Sequence, residues 1–97
     1  YIHVVFNNGA HDSVGGQPTV GLKINLPEVA KAVGYSSVYS VSTIEELNSR
    51  LSVLSSQSND GPVFLEVKVK KGNRKDLGRP TTTPIENKQA FMNNLKN

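Results

Sequence analysis

Three runs rich in β-branched residues, Ile2 to Phe6, Val38 to Val41 and Val63 to Val69, are separated by stretches with helical spacing. Strands that alternate with helices need crossover connections, which place the strands parallel and the helices on the faces of the sheet. The alternation therefore predicts an α/β fold: three αβα layers, a parallel sheet with flanking helices. Ile2 to Phe6 is short, continuous and apolar, the pattern of a buried strand. Val63 to Val69 alternates, with Val63, Leu65, Val67 and Val69 to one side and Glu66 and Lys68 to the other. That pattern predicts a half-exposed strand near a sheet edge.

The helices announce themselves by their ends. In "NLPEVAKAVGY", Asn25 or Leu26 is a cap, Pro27 falls in the first turn, and Gly34 stands where a helix terminus favours φ > 0. Leu26, Val29, Ala30 and Val33 share one face. Ser42-Thr43-Ile44-Glu45 has the form of a capping box with a serine cap. Ile44, Leu47, Leu51 and Leu54 then recur at helical spacing, predicting an amphipathic helix from Thr43 to about Ser56. The turn-forming string "SSQSNDGP" ends it. Thr83-Pro84-Ile85-Glu86 repeats the capping logic before a last helix to about Leu95, with Ile85, Phe91, Met92 and Leu95 as its apolar residues.

Composition removes several classes of function. The chain has no cysteine, which excludes disulfides and thiolate metal sites. No apolar run approaches the roughly 20 residues of a membrane span, and the first residues lack the pattern of a signal peptide. A cytoplasmic protein with no membrane partner is expected. The net charge of +3 is concentrated between Lys68 and Arg79. That basic stretch, "KVKKGNRKDLGRP", lacks interleaved aromatics and any nucleic-acid-binding module, so no nucleic-acid partner is expected. The chain starts without methionine and enters a strand almost at once, which predicts a piece of a longer protein.

In parallel sheets, ligands bind at the carboxyl ends of the strands. The first strand ends in "FNNGAHDSVGGQPT", residues Phe6 to Thr19. It belongs to a loop, predicted to run unstructured from residue 7 to the helix, and loops of such length are often functional. Asn7-Asn8-Gly9-Ala10 reads as a turn or as a hard-metal site, in which an asparagine oxygen and a backbone carbonyl stand beside a carboxylate and phosphate oxygens. Ser13-Val14-Gly15-Gly16-Gln17 reads as a run of backbone N–H groups facing an anion, without the spacing of a dinucleotide or phosphate-loop fingerprint. His11 reads as an anion donor or proton shuttle, or as a solvated loop residue. His3 reads as structural. Asp12 fits a base, a turn former or an outer partner of a metal ligand equally well.

The strand ending in Asn-Asn, the glycine-rich loop and "LPEVAKAVGY" together resemble the second half of the cofactor-binding domain of thiamine-diphosphate-dependent enzymes. The motif of that family begins Gly-Asp-Gly and closes on Asn-Asn, and only its closing half is present. Within the family, "NNGAHDSVGGQPT" and "RKDLGRPTTTPIENK" look like the phosphonopyruvate decarboxylases. The resemblance implies that residues 1–97 are the C-terminal half of a thiamine-diphosphate-binding domain, with 72–97 a tail and helix. It implies thiamine diphosphate and Mg²⁺ as cofactors, with Asn7, Asn8, Gly9 and Ala10 at the cofactor and Asn8 and Ala10 as metal ligands. Asn7 would brace the turn more than touch the metal. His11 would be catalytic, and Ser13, Gly15, Gly16 and Gln17 would bind the distal anion of a 2-oxo acid substrate. The aspartate ligand and the activating glutamate would come from the upstream part of the chain and from another subunit, so the segment alone would be inactive. A homo-oligomer with its active site at the subunit interface follows. The rival readings are sulfopyruvate decarboxylase or another thiamine-dependent 2-oxo acid enzyme, and a non-catalytic α/β nucleotide-binding module.

Overall fold

The computed structural model describes residues 1–57 and 60–96. Three strands form one parallel sheet: β1 (Ile2–Asn7), β4 (Ser37–Val41) and β5 (Val63–Lys68), in the order β1-β5-β4. Between β1 and β4 lie a two-residue hairpin, β2 (Ala10–His11) with β3 (Gln17–Pro18), and helix α1 (Leu26–Ala32). Helix α2 (Ile44–Ser56) joins β4 to β5, and α3 (Pro84–Leu95) ends the chain. The parallel sheet with flanking helices is the αβα arrangement that the alternation predicts.

The central strand corrects the edge expectation. β5 pairs with β1 on one side and β4 on the other, and Val63 to Val67 are all buried. Strict alternation suggested a wet face, but Phe64 shares that face with Glu66 and is equally buried. The opposite face carries Val63, Leu65 and Val67, packed with Val41 and with Leu54 of α2, while Tyr39 and Leu47 close the cluster. On the Phe64 side, α1 packs on β4 and β5 through the buried Ala30. Tyr35, just after α1, and His3 set their rings against Phe64, with centroids 5.5 and 5.2 Å away. His3 Nδ1 and the Tyr35 hydroxyl are hydrogen-bonded at 2.8 Å, consistent with a structural part for His3.

β1 is an edge strand with one face exposed, not the buried strand expected. Ile2, Val4 and Phe6 point to the α2 side, but α2 covers only β4 and β5, so these side chains stay exposed. Apolar faces of the helices are likewise only partly covered: Leu54 is buried, whereas Ile44, Val29 and Val33 are exposed. All of α3 is exposed. The Cα radius of gyration, 16.4 Å, accordingly exceeds the about 13 Å of a compact 100-residue domain.

The helix ends follow local rules with one shift. Asn25 caps α1 by accepting from Glu28 N–H (3.2 Å), and Gly34 takes φ 109° just past its end. α2 is capped by Thr43, which accepts from Glu46 N–H, and not by Ser42. Ser42/Glu45 and Thr43/Glu46 have the same spacing, so spacing cannot choose between them. Glu46 reaches back to accept from Ser42 N–H at 2.9 Å. α3 has a complete capping box, Thr83 with Glu86, as predicted. The turn expected over "SSQSNDGP" falls partly on Ser58 and Asn59, outside the described residues.

Candidate functional site

β1 ends at the carboxyl edge of the sheet in Asn7, and the asparagines there fold the chain back on itself. Asn7 is buried. Its Nδ2 donates to the Gly21 carbonyl (2.7 Å) and to Glu66 Oε2 (2.8 Å), and its Oδ1 accepts from Gly9 N–H (3.1 Å). Asn8 repeats the turn one residue later: its Oδ1 accepts from Ala10 N–H (3.0 Å), and its Nδ2 donates to Asp12 Oδ2 (2.7 Å). Gly9 must be glycine, because φ is 69° and a Cβ there would lie 2.6 Å from Leu22 Cδ1. Asn7 thus braces the turn from the inside, while Asn8 sits on its outer, half-buried side.

Two oxygens remain capable of accepting more. An amide oxygen has two lone pairs, and Asn8 Oδ1 has one N–H donor. Ala10 faces Pro18 across the hairpin, and the flanking bond runs from Thr19 N–H to the Gly9 carbonyl at 2.8 Å. Hydrogen-bonded and non-bonded pairs alternate in an antiparallel ladder, so Ala10 is in a non-bonded pair and its carbonyl is directed away from β3. Neutral oxygens of these two kinds are what Mg²⁺ accepts alongside carboxylate and phosphate oxygens.

The rest of the loop is ordered, which corrects the expectation of a structureless segment. Asp12–Val14 form a 3-10 turn, and Gly16 N–H donates to the His11 carbonyl (2.7 Å) to close the hairpin. Gly15 and Gly16 take φ of 112° and 73° because the reversal demands left-handed backbone. The Gln17 amide folds against Gly15, where a Cβ would stand 3.0 Å from its Nε2. One N–H of the expected anion-facing run, that of Gly16, is therefore spent inside the hairpin. The side chains of His11, Ser13 and Gln17 are exposed.

Asp12, whose part the sequence left open, is a brace. Its Oδ2 accepts from Asn8 Nδ2 and also from Gly72 N–H at 2.8 Å, sixty residues away. That bond draws the basic tail to the strand-end loop. A groove of about 440 Å³ lies between them, lined by Asp12 and Ser13 on one wall and by residues of the 73–79 segment, including Arg74, Lys75 and Arg79, on the other.

Glu66 is the residue that sequence reasoning misplaced. It is 2 % exposed in the middle of the sheet, and its carboxyl accepts from Asn7 Nδ2 and, through Oε1, from the Ser40 hydroxyl (2.7 Å). One side chain on β5 thereby ties β1 to β4 beneath the loop. The available signal was Phe64, an aromatic residue two positions before Glu66 and hence on the same face. Among the described residues no three His, Cys, Asp or Glu side chains converge as a metal cage. No described helix is long and apolar enough to cross a membrane.

Comparison with known proteins agrees with the resemblance carried by the two strings. No protein-family model matches the chain. Over 90 residues, 93 % of its length, the chain is 37 % identical to phosphonopyruvate decarboxylase of Streptomyces viridochromogenes. It is 34 % identical over the same extent to the phosphonopyruvate decarboxylase of Streptomyces hygroscopicus. The chain spans 22 % of the length of each of these relatives. It is a region similar to phosphonopyruvate decarboxylase over nearly its whole length.

Proposed function

We propose that the chain is the C-terminal half of the thiamine-diphosphate-binding domain of a phosphonopyruvate decarboxylase, a carboxy-lyase acting in phosphonate biosynthesis. The observation that carries the reading is the double asparagine turn at the carboxyl end of β1, lying within the stretch similar to the two decarboxylases. Asn8 Oδ1 and the Ala10 carbonyl would hold Mg²⁺, and through it the diphosphate, while Asn7 and Gly9 keep the turn in shape. The donor set fits a hard cation: both atoms are neutral oxygens, and the missing anionic ligands are those that phosphate and an upstream carboxylate supply.

Thiamine diphosphate, when bound, supplies the nucleophile for the 2-oxo carbon and the electron sink needed when CO₂ leaves. What remains for the protein is positioning, exclusion of water and one proton. Loss of CO₂ from 3-phosphonopyruvate with uptake of one proton balances to phosphonoacetaldehyde. His11, exposed on the hairpin beside the turn, is the candidate to hold or move that proton. Ser13 and Gln17, with the backbone at Gly15 and Gly16, line the same strand-end loop and are the candidates for contact with the substrate. The upstream part of the chain and a second subunit would complete the site, in a cytoplasmic homo-oligomer.

The test is decarboxylation by the full-length protein with phosphonopyruvate, sulfopyruvate and pyruvate side by side, with and without Mg²⁺ and thiamine diphosphate. Cofactor-dependent turnover highest on phosphonopyruvate is expected. Preference for sulfopyruvate would reassign the substrate, and turnover on none would return the chain to a binding module.

A further inference from the structure

We propose that the groove between the strand-end loop and the basic tail binds the distal phosphonate of the substrate, through Arg74, Lys75, Arg79 and the Ser13 hydroxyl. The proposal rests on the decarboxylase reading and assigns a part of the site to residues far from the cofactor turn in sequence. Three cations and one carboxylate line the groove, a net of +2, among Asp12, Ser13, Arg74, Lys75 and Arg79. The carboxylate is engaged elsewhere, since Asp12 Oδ2 already accepts from Asn8 Nδ2 (2.7 Å) and Gly72 N–H (2.8 Å). Arg74 pairs through Nε with Asp76 at 3.3 Å, which leaves its terminal guanidinium nitrogens. Lys75 and Arg79 have no ion-pair partner among the described residues.

Size and placement agree with a small anion. The volume of about 440 Å³ falls within the about 300–1,000 Å³ of small-molecule sites. A phosphonate dianion matches the forked guanidinium donors of arginine. Placement follows from Asp12, because a single oxygen holds both Asn8 of the cofactor turn and the start of the basic wall. Phosphonopyruvate carries its phosphonate on the carbon next to the keto carbon, so the site needs a basic anion subsite in addition to the metal turn. The glycine loop, by contrast, has already committed the Gly16 N–H to the hairpin.

The cofactor's own phosphates share this chemistry, so the experiment separates the two sources. In the full-length protein, Arg79→Gln and Lys75→Gln are compared with wild type in three assays. These are kcat/KM on phosphonopyruvate and on pyruvate, calorimetric titration of thiamine diphosphate with Mg²⁺, and ³¹P NMR titration with methylphosphonate. The expected result is a tenfold to hundredfold loss on phosphonopyruvate, the span of one lost charge-assisted donor. Pyruvate should change less than threefold, cofactor affinity should be retained, and methylphosphonate binding should weaken in the variants. Equal losses on both substrates, or lost cofactor affinity, would overturn the assignment. Should wild type not turn over phosphonopyruvate, the decarboxylase reading fails by itself. The NMR arm then decides the groove: methylphosphonate bound by wild type and lost in Arg79→Gln upholds it, and no binding by wild type removes it.

Discussion

Asn7→Ala is the sharpest test of how the turn is held. The substitution deletes three hydrogen bonds at once: Nδ2 to Glu66 Oε2 at 2.8 Å, Nδ2 to the Gly21 carbonyl at 2.7 Å, and Gly9 N–H to Oδ1 at 3.1 Å. A bond to a carboxylate contributes about 1.5–3 kcal/mol and each neutral one about 0.5–1.5 kcal/mol, which sums to about 2.5–6 kcal/mol. Gly9 and Gly21 are half-buried and can recover water, whereas Glu66 is 2 % exposed and cannot. The expected loss is therefore about 3–4 kcal/mol, weighted toward the stranded carboxyl. Ser40→Ala is the internal control, because it removes the other bond to the same carboxyl from an exposed serine. It should cost about 1.5–3 kcal/mol, less than Asn7→Ala because one bond is lost and not three. Urea unfolding followed by far-UV circular dichroism reads both as shifts in midpoint at constant m. An Asn7/Glu66 double-mutant cycle should return a coupling of about 1.5–3 kcal/mol. If Asn7→Ala costs no more than Ser40→Ala, the buried carboxyl does not depend on Asn7 and the account of the turn is wrong.

Two further outcomes are expected. Asn8→Ala should weaken Mg²⁺ and thiamine diphosphate binding by tenfold or more in calorimetric titration of the full-length protein, with unfolding little changed because Asn8 is on the outer side of the turn; unchanged affinity would remove Asn8 from the metal site. At the start of α3, hydrogen bonds from the Thr83 backbone N–H and hydroxyl hold the Glu86 carboxyl below its ordinary pKa. The folded value is lowered, so this contribution is present above the unfolded carboxylate value of about 4.3 and is lost as pH falls through the folded value. Helicity of α3 should drop on acidification in that window, and Thr83→Ala should flatten the transition while costing about 1 kcal/mol at neutral pH.

The alternation of β-branched runs with capped helical periods determined the αβα layers from sequence alone, because strand and helix periods and cap chemistry act within a few residues. Asn25, Gly34 and the Thr83–Glu86 box could be read for the same reason. So could the two strings that carry the resemblance, since each is contiguous: the first begins at the end of β1, and the second runs from the tail after β5 into α3. Tertiary structure decided what depends on residues distant in sequence. The alternation around Glu66 looks the same on an edge strand as on a central one. Only the pairing of β5 with both β1 and β4 buries that carboxyl and brings Asn7 and Ser40 to it. Likewise, Asp12 carried three readings until Gly72, sixty residues on, met its Oδ2 and set the basic tail across from Ser13. Local spacing encodes direction and period along the chain, but which faces become dry and which charges meet is set by the strand order, and that is a property of the whole sheet.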